Sequence, residues 1–386
     1  MTTPSGTPGA PRPEVPDHYL DTASAEPLHP AARDVLLAAL DRGFADPRRL
    51  HRRAREARLL LDNARAVVAE CLGAQPDEIG FTASGTDAVH RGLLGLVRAQ
   101  GAAGRSGVVH TAVEHSSVLH AVAWQDSPAH AAVPVDARGR VDPAAAAAAA
   151  AAGGVAVVAV QAANQEVGTV QPVDALDLPG GVPLFVDAAA AAGRLPLPAR
   201  WDALAASARK FGGPAGVGVL AVRRGTRWTT PFPGDDGLDR LGGEANVPGA
   251  LAAAAALQAV LAEREETAAR HHELTGRIRR AAAALPDTEV VGDPDDRLPH
   301  LVTFSCLYIA GDELVDALDR RGYGVASGSA CTASTLEPSH VLAAMGALTH
   351  GNVRVSLRRD STAEEVDGFC TALAEVVASI RAGAGL

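Results

Sequence analysis

Apolar residues recur at the three- and four-residue spacing of a helix through RRAREARLLLDNARAVVAECLGA, residues 52–74, and the pattern stops at Gly73. Downstream the texture changes to short apolar runs closed by small polar residues. EIGFTASGTDAVHRGLLGLV (78–97) reads as strand, Gly/Ser turn and helix, and SGVVHTAVEHSSVLHAVAW (106–124) repeats that order. GRVDPAAAAAAAAAGG predicts a helix opened by Asp142 and Pro143. VAVVAVQAANQEVGTVQPV (155–173) is a buried strand leaving into a polar loop, and VPLFVDAAAAAGRLPL (182–197) is a strand ending on Asp187. ALAASARKFGGPAGVGVLAVRR (203–224) reads as strand, loop and strand. Strand and helix alternate to about residue 225, which predicts an open, mostly parallel sheet with helices on both faces.

A different texture follows. Residues 231–248 form a long irregular connection, and 249–285 a long helix, either continuous or broken. The order then becomes strand, helix, loop, strand, helix, which predicts a smaller α+β domain. The expected division is a Pro/Gly-rich disordered tail over 1–16, a large domain over 17–250 and a small domain over 251–386.

Hydrophobic residues make up 47% of the 386 and charged residues 21%, the profile of a soluble globular chain with a sizeable core. A net charge of −10 argues against nucleic-acid and acidic-membrane partners. No apolar run is long enough to span a bilayer and the start lacks a secretory signal, so a cytoplasmic chain is expected. Four widely spaced cysteines without a CxxC fit a reducing compartment and no metal site.

One residue stands out from this composition. Lys210 is the only lysine; the rest of the 35 Lys and Arg residues are arginine. Guanidinium stays charged at any working pH, whereas an ammonium can be tuned to release its proton. A retained lysine therefore reads as a reactive amine, with a surviving surface lysine as the bland alternative. Its neighbours carry the choice. Open α/β sheets collect ligands at the carboxyl ends of their strands. At such ends stand Ser84, Gly85 and Thr86, a candidate phosphate cup at a helix start. There too stand His115, Asn164, Glu166 and Asp187. Taken singly, His115 reads as an ordinary structural histidine, Asn164 and Glu166 as a polar turn, and Asp187 equally as a helix cap.

Together they supply what pyridoxal phosphate requires: an amine for its aldehyde, a carboxylate for its ring nitrogen, a phosphate cup and a ring to stack on. Cys71, Cys306 and Cys370 fall in periodic apolar segments and read as small core residues. Cys331 lies in ASGSACTASTLEPSH, a stretch of small residues without apolar period, where a thiol is expected to be exposed and functional. Arg354, between valines in NVRVSL, reads as an inward arginine awaiting a carboxylate, or as an edge-strand arginine facing water.

These segments resemble the cysteine desulfurases, within the class V aminotransferases. FTASGTDA, VEHSSVL, ANQEVGTVQ, FVDA and VRVSL match in order, and SGSACTASTLEPSHVLAAMG (327–346) resembles the family's long active-site cysteine loop. The resemblance implies the type I fold of pyridoxal-phosphate-dependent transferases: an α/β large domain with a mostly parallel sheet flanked by helices, plus a smaller C-terminal α+β domain. It implies that Lys210 carries the cofactor, that Asp187 pairs with the pyridine nitrogen and that His115 stacks on the ring. Gly85, Thr86 and Ser207 would hold the phosphate. Asn164 and Arg354 would hold the substrate carboxylate, and Cys331 would take sulfur from L-cysteine and pass it to an acceptor protein. A homodimer is also implied.

The sequence departs from the family pattern at four places. Arg209 replaces a histidine before the lysine, and Ala190 replaces a glutamine three residues after the aspartate. Glu244 stands where a phosphate-binding threonine is expected, and ADPRRLH, from Ala45, replaces an Asn-Pro-Ser-type segment. A selenocysteine lyase or another C–S lyase on this scaffold, and a non-catalytic protein of the same fold, remain as alternatives.

Overall fold

The computed structural model describes residues 17–235, 237–239, 241, 243–327 and 338–385. The expected disordered tail therefore lies outside the described residues. The described residues open with β1 (His18–Tyr19), α1 (Pro30–Arg42) and α2 (Arg52–Leu72). There follow β2 (Ile79–Thr82), α3 (Gly85–Gln100), β3 (Gly107–Thr111), α4 (Ser116–Gln125), β4 (Ala131–Val133) and α5 (Pro143–Ala150). The rest of the first sheet comprises β5 (Val155–Gln161), β6 (Leu184–Asp187), β7 (Ala203–Ser207) and β8 (Gly218–Val222).

These strands form one seven-stranded sheet in the order β2-β8-β7-β6-β5-β3-β4. All neighbours are parallel except those of β8, which runs antiparallel between β2 and β7. A parallel sheet covered on both faces calls for strands apolar throughout, and β5, VAVVAVQ, is buried at every position. Its Val158 and Val160 join the core shared with α2 and α5, while Val157 and Ala159 join the core under α3 and α4. Gly92 of α3 permits the close approach: a Cβ there would lie 2.5 Å from Cε2 of Phe185. The helix expected over the alanine run forms as α5, capped by Asp142, whose Oδ1 accepts the amide of Ala144 at 3.0 Å.

The second part contains α6 (Val247–Ala262), α7 (Arg264–Ala283), β9 (Thr288–Val291), β10 (Leu301–Cys306), α8 (Gly311–Asp319) and β11 (Tyr323–Gly324). It ends with α9 (His340–Met345), β12 (Asn352–Ser356) and α10 (Ala363–Ala384). α6 is half alanine and packs against α1 and α2, inside the core of the large sheet. An antiparallel sheet in the order β12-β10-β9 carries its own core with α7, α8 and α10. The chain start is tied to this unit: β1 pairs in parallel with β11, and the amide of Ala23 donates to Ser356 Oγ at 2.8 Å. No helix among the described residues is long and apolar enough to cross a membrane.

Candidate active site

The carboxyl ends of β2, β3, β5, β6 and β7 open onto a cleft of about 620 Å³. It brings together Gly85, Thr86, His115, Asp187, Ser207, Lys210 and Arg354 from the residues expected in the sequence.

Ser84 ends the turn after β2 and caps α3, its Oγ accepting the amide of Asp87 at 3.0 Å. The helix's own ladder starts with Ala88 N–H to the Ser84 carbonyl, so the amides of Gly85 and Thr86 lie ahead of it. Gly85 is required by contact: a Cβ there would fall 2.6 Å from Cβ of Ser207. The helix start and the end of β7 thus form one narrow cradle of amides and a hydroxyl, suited to an anion.

Asp187 closes β6, in register with Gln161 of β5 and Ala205 of β7. Its Oδ1 accepts the amide of Ala189 at 2.9 Å. Burial pushes its carboxyl up to about 6, against the opposing pull of that amide and of Lys210. A cationic partner in the cleft would restore its charge. Lys210 ends the short turn after β7, and its Nζ donates to the carbonyl of Ala23.

His115 caps α4 with its Nδ1, which accepts the Ser117 amide at 3.1 Å. That bond places the proton of the neutral ring on Nε2. Burial holds the ring down at about 4, helped by the positive charge of Lys210, so the imidazole is neutral near pH 7.

Two expectations change. Asn164 does not line the cleft. Its Oδ1 accepts the amides of Glu166 and Val167, both at 2.8 Å, and its Nδ2 donates to the Val113 carbonyl at 3.0 Å. The amide group is spent on shaping the loop, and the neighbouring Gln165 lines the cleft instead. Arg354 is buried and faces the cleft, as an inward arginine, yet it already has a carboxylate. Its Nη2 donates to Asp21 Oδ1 at 2.8 Å and Ser24 Oγ at 2.7 Å. Its Nη1 reaches the Gln165 carbonyl at 3.1 Å, leaving buried Nε without a partner.

Glu114 escaped the sequence reading, although it directly precedes His115. It is fully buried, with Oε1 accepting from Thr111 Oγ1 at 2.6 Å and from the Gln161 amide at 3.0 Å. Burial raises its carboxyl to about 8, and the nearby Asp187 adds to the rise. Glu114 is therefore protonated near pH 7, which leaves Asp187 without a competing negative charge behind it. Glu166 is also buried, and burial lifts it to about 7.

Cys331 and its neighbours 328–337 lie outside the described residues. The segment that follows is tied to the cleft wall: His340 Nε2 meets the Glu114 carbonyl at 2.9 Å, and Val341 and Leu342 pack with Val113 and Val167. The other three cysteines serve the cores. Cys306 is buried, and burial raises the thiols of Cys71 and Cys370 to about 11.

The departures also find places. Arg209 and Ala190 line the cleft. Pro47, Arg48 and Glu244 meet in an adjacent cleft of about 420 Å³, which shares Gly216 and Val217 with the first. The substitutions near residue 46 and at 244 thus belong to one locality.

Residues 18–369 match the family model for class-V aminotransferases. An IscS-like cysteine desulfurase of Mycobacterium tuberculosis is 36% identical, over 95% of this chain and 98% of its own. The cysteine desulfurase NifS of Azotobacter vinelandii is 34% identical, over 95% of this chain and 94% of its own. The chain belongs to the cysteine desulfurase family of class-V aminotransferases. A solved NifS-like protein superposes with a TM-score of 0.86 at 27% identity, covering 94% of this chain and all of that one. The apo cysteine desulfurase of Thermococcus onnurineus shares the fold, with a TM-score of 0.79 at 23% identity. The class-V aminotransferases use pyridoxal phosphate, and the desulfurase cleft has the right donors for it. An anion cradle that one added Cβ would fill, a buried carboxylate awaiting a cation and an amine converge on a single space.

Proposed function

We propose that this protein is a pyridoxal-phosphate-dependent cysteine desulfurase. It converts L-cysteine to L-alanine and leaves the sulfur as a persulfide on Cys331, for transfer to an acceptor protein. The observation that carries the reading is the convergence of the chain's one lysine with Asp187, His115 and the Gly85–Ser207 cradle in a single cleft.

Gly85, Thr86 and Ser207 would hold the cofactor phosphate, Asp187 its ring nitrogen, Lys210 its aldehyde carbon and His115 its ring face. When bound, the cofactor supplies an electron sink at the substrate Cα. Asp187 would support that sink by holding a proton at the ring nitrogen. Lys210 moves the Cα proton through Nζ. His115 enters neutral, with its proton on Nε2, and can exchange that proton in the cleft. Arg354 holds the substrate carboxylate, with Gln165 taking the part first given to Asn164. Asp21 keeps the guanidinium aligned between turnovers.

The Cys331 thiolate attacks the substrate sulfur. The S–S bond forms, the Cβ–S bond breaks, and its electron pair and a proton stay with the carbon product, which leaves as alanine. A thiol acceptor then takes the outer sulfur. We further propose a cytoplasmic homodimer, with the adjacent cleft at the subunit boundary.

The test is turnover with L-cysteine, added pyridoxal phosphate and a thiol reductant, with alanine and sulfide measured together. Equal amounts of each are expected, and both should vanish in Cys331→Ala. Sulfide accompanied by pyruvate, or activity that survives Cys331→Ala, would show a different lyase. Faster turnover of L-selenocysteine that needs no Cys331 would show a selenocysteine lyase.

A further inference from the structure

Behind the cleft lies a second void, of about 10 Å³, walled by residues that include Thr22, Ala23, Gln165, Ala190, Lys210 and His300. Gln165, Ala190 and Lys210 wall both spaces, so they form the partition between them. The methyl group of Ala190 is the smallest side chain in that partition.

His300 lies just before β10 and is 2% exposed. Its Nδ1 is buried and has no hydrogen-bond partner among the described residues. A buried polar group left unmet is destabilising. Native structures meet most such groups with a protein partner or an ordered water. The void is close to the smallest space that can seat one water; its surface is mostly apolar, with Thr22, Gln165, Lys210 and His300 among the polar residues that line it. Burial holds His300 well below the ordinary histidine range, with Arg194 and other nearby cations adding to the effect. The ring is therefore neutral and one of its nitrogens can accept a hydrogen bond. Opposite it, Lys210 Nζ donates to the carbonyl of Ala23, which also lines the void.

We infer that this void is a one-water berth for the Lys210 amine, and that His300 positions the amine there through the bound water whenever Lys210 is not carrying the cofactor. The inference rests on the reading of Lys210 as the cofactor-bearing amine. An amine displaced by substrate has to stay within reach of the cleft, with its hydrogens satisfied, and then return. The Ala23 carbonyl offers one acceptor and the His300-bound water a second. The charged and titratable groups around the amine and the imidazole include Asp187, His115, Arg209, His271, Arg194 with its partner Glu26, and Arg354 with its partner Asp21. The arginines disfavour an ammonium and Asp187 favours it. A neutral acceptor also favours it, so His300 raises the proton affinity of Lys210.

The single lysine makes this measurable without turnover. Incorporation of lysine labelled with nitrogen-15 at Nζ marks Lys210 alone in the cofactor-free protein, and NMR follows its signal against pH. In His300→Leu the Lys210 midpoint should fall by about half a pH unit or more, since a lost hydrogen bond to the charged form lowers an amine's pKa. His300→Gln, which keeps an acceptor, should retain the wild-type midpoint. An unchanged midpoint in folded His300→Leu overturns the inference. If that variant does not fold, Ala190→Val, which fills the void and leaves His300 in place, should give the same fall, and an unchanged midpoint there is equally fatal. A high-resolution crystal structure of the cofactor-free wild type should show a water bonded to His300 in the void; an empty void refutes the berth. None of these readouts needs L-cysteine, so the berth and the desulfurase reading can fail separately.

Discussion

At the scale of single residues, the proposed mechanism makes Lys210 the position where arginine cannot serve. Guanidinium neither condenses with an aldehyde nor gives up a proton at working pH. Lys210→Arg should fold, judged by circular dichroism, yet bind no coloured cofactor and form no alanine; a yellow, active variant would remove the basis of the proposed mechanism. Glu114 makes a different prediction. It holds its proton to about pH 8 in the folded chain, against an ordinary value of 4.5. Folding therefore takes up a proton in that window, and stability falls as pH rises through it. His115 and His271, both held at about 4, have the opposite sign, but that contribution is complete once pH passes their ordinary value of 6.5. Glu166, at about 7, adds to the fall only at the lower edge. Between about pH 7 and 8.5 the cofactor-free protein should lose stability, by at most about 1.4 kcal/mol per pH unit for one proton. Urea denaturation of Glu114→Gln should show a flatter profile over the same range. An equally steep fall in that variant would mean that another group titrates there.

Elements place these residues, and the placement was partly legible. β5 and β6 are apolar runs that end on polar residues, and a carboxylate at the end of a buried strand marks Asp187 from sequence alone. The Gly85 turn is legible too, as a strand-to-helix junction, but the need for glycine is not. It comes from the approach of Ser207, 122 residues away and two strands over in the sheet. Gly85→Ala forces Cβ into Ser207, and overpacking of this kind typically costs about 1–3 kcal/mol. The expected outcome is a folded protein that binds pyridoxal phosphate at least tenfold more weakly, read by fluorescence titration. Unaltered cofactor affinity would show that the cradle does not hold the phosphate. The exchange between Asn164 and Gln165 has a related cause. Both residues are polar amides in one loop, and only the turn that Asn164 caps decides which of them reaches the cleft.

For the whole molecule, five of the eight large apolar residues exposed among the described residues lie along α1, α2 and their connection, while Leu28, Trp124 and Tyr308 lie elsewhere. Leu37, Leu40, Phe44, Leu50 and Leu59 are all exposed, Leu50 at 89%. The adjacent cleft with Arg48 and Glu244 lies beside this connection. A second copy of the chain would cover such a surface, which matches the proposed homodimer. Sedimentation velocity should show a dimer, and the double variant Leu50→Asp, Leu59→Asp should shift it toward monomer at micromolar concentration. A wild type that sediments as a monomer would oppose the dimer and the placement of the cleft at its boundary.

The sequence by itself determined the kinds of element, the side of the sheet on which chemistry gathers and the candidate for the reactive amine. Those properties depend on periodicity and on what each side chain can do, and both are local. The tertiary structure decided which groups meet. Asp21 and Arg354 stand 333 positions apart, and they pair because the chain start lies beside β12. The protonation of Glu114 and the isolation of His300 follow from burial, which comes from packing on every side and from no spacing along the chain.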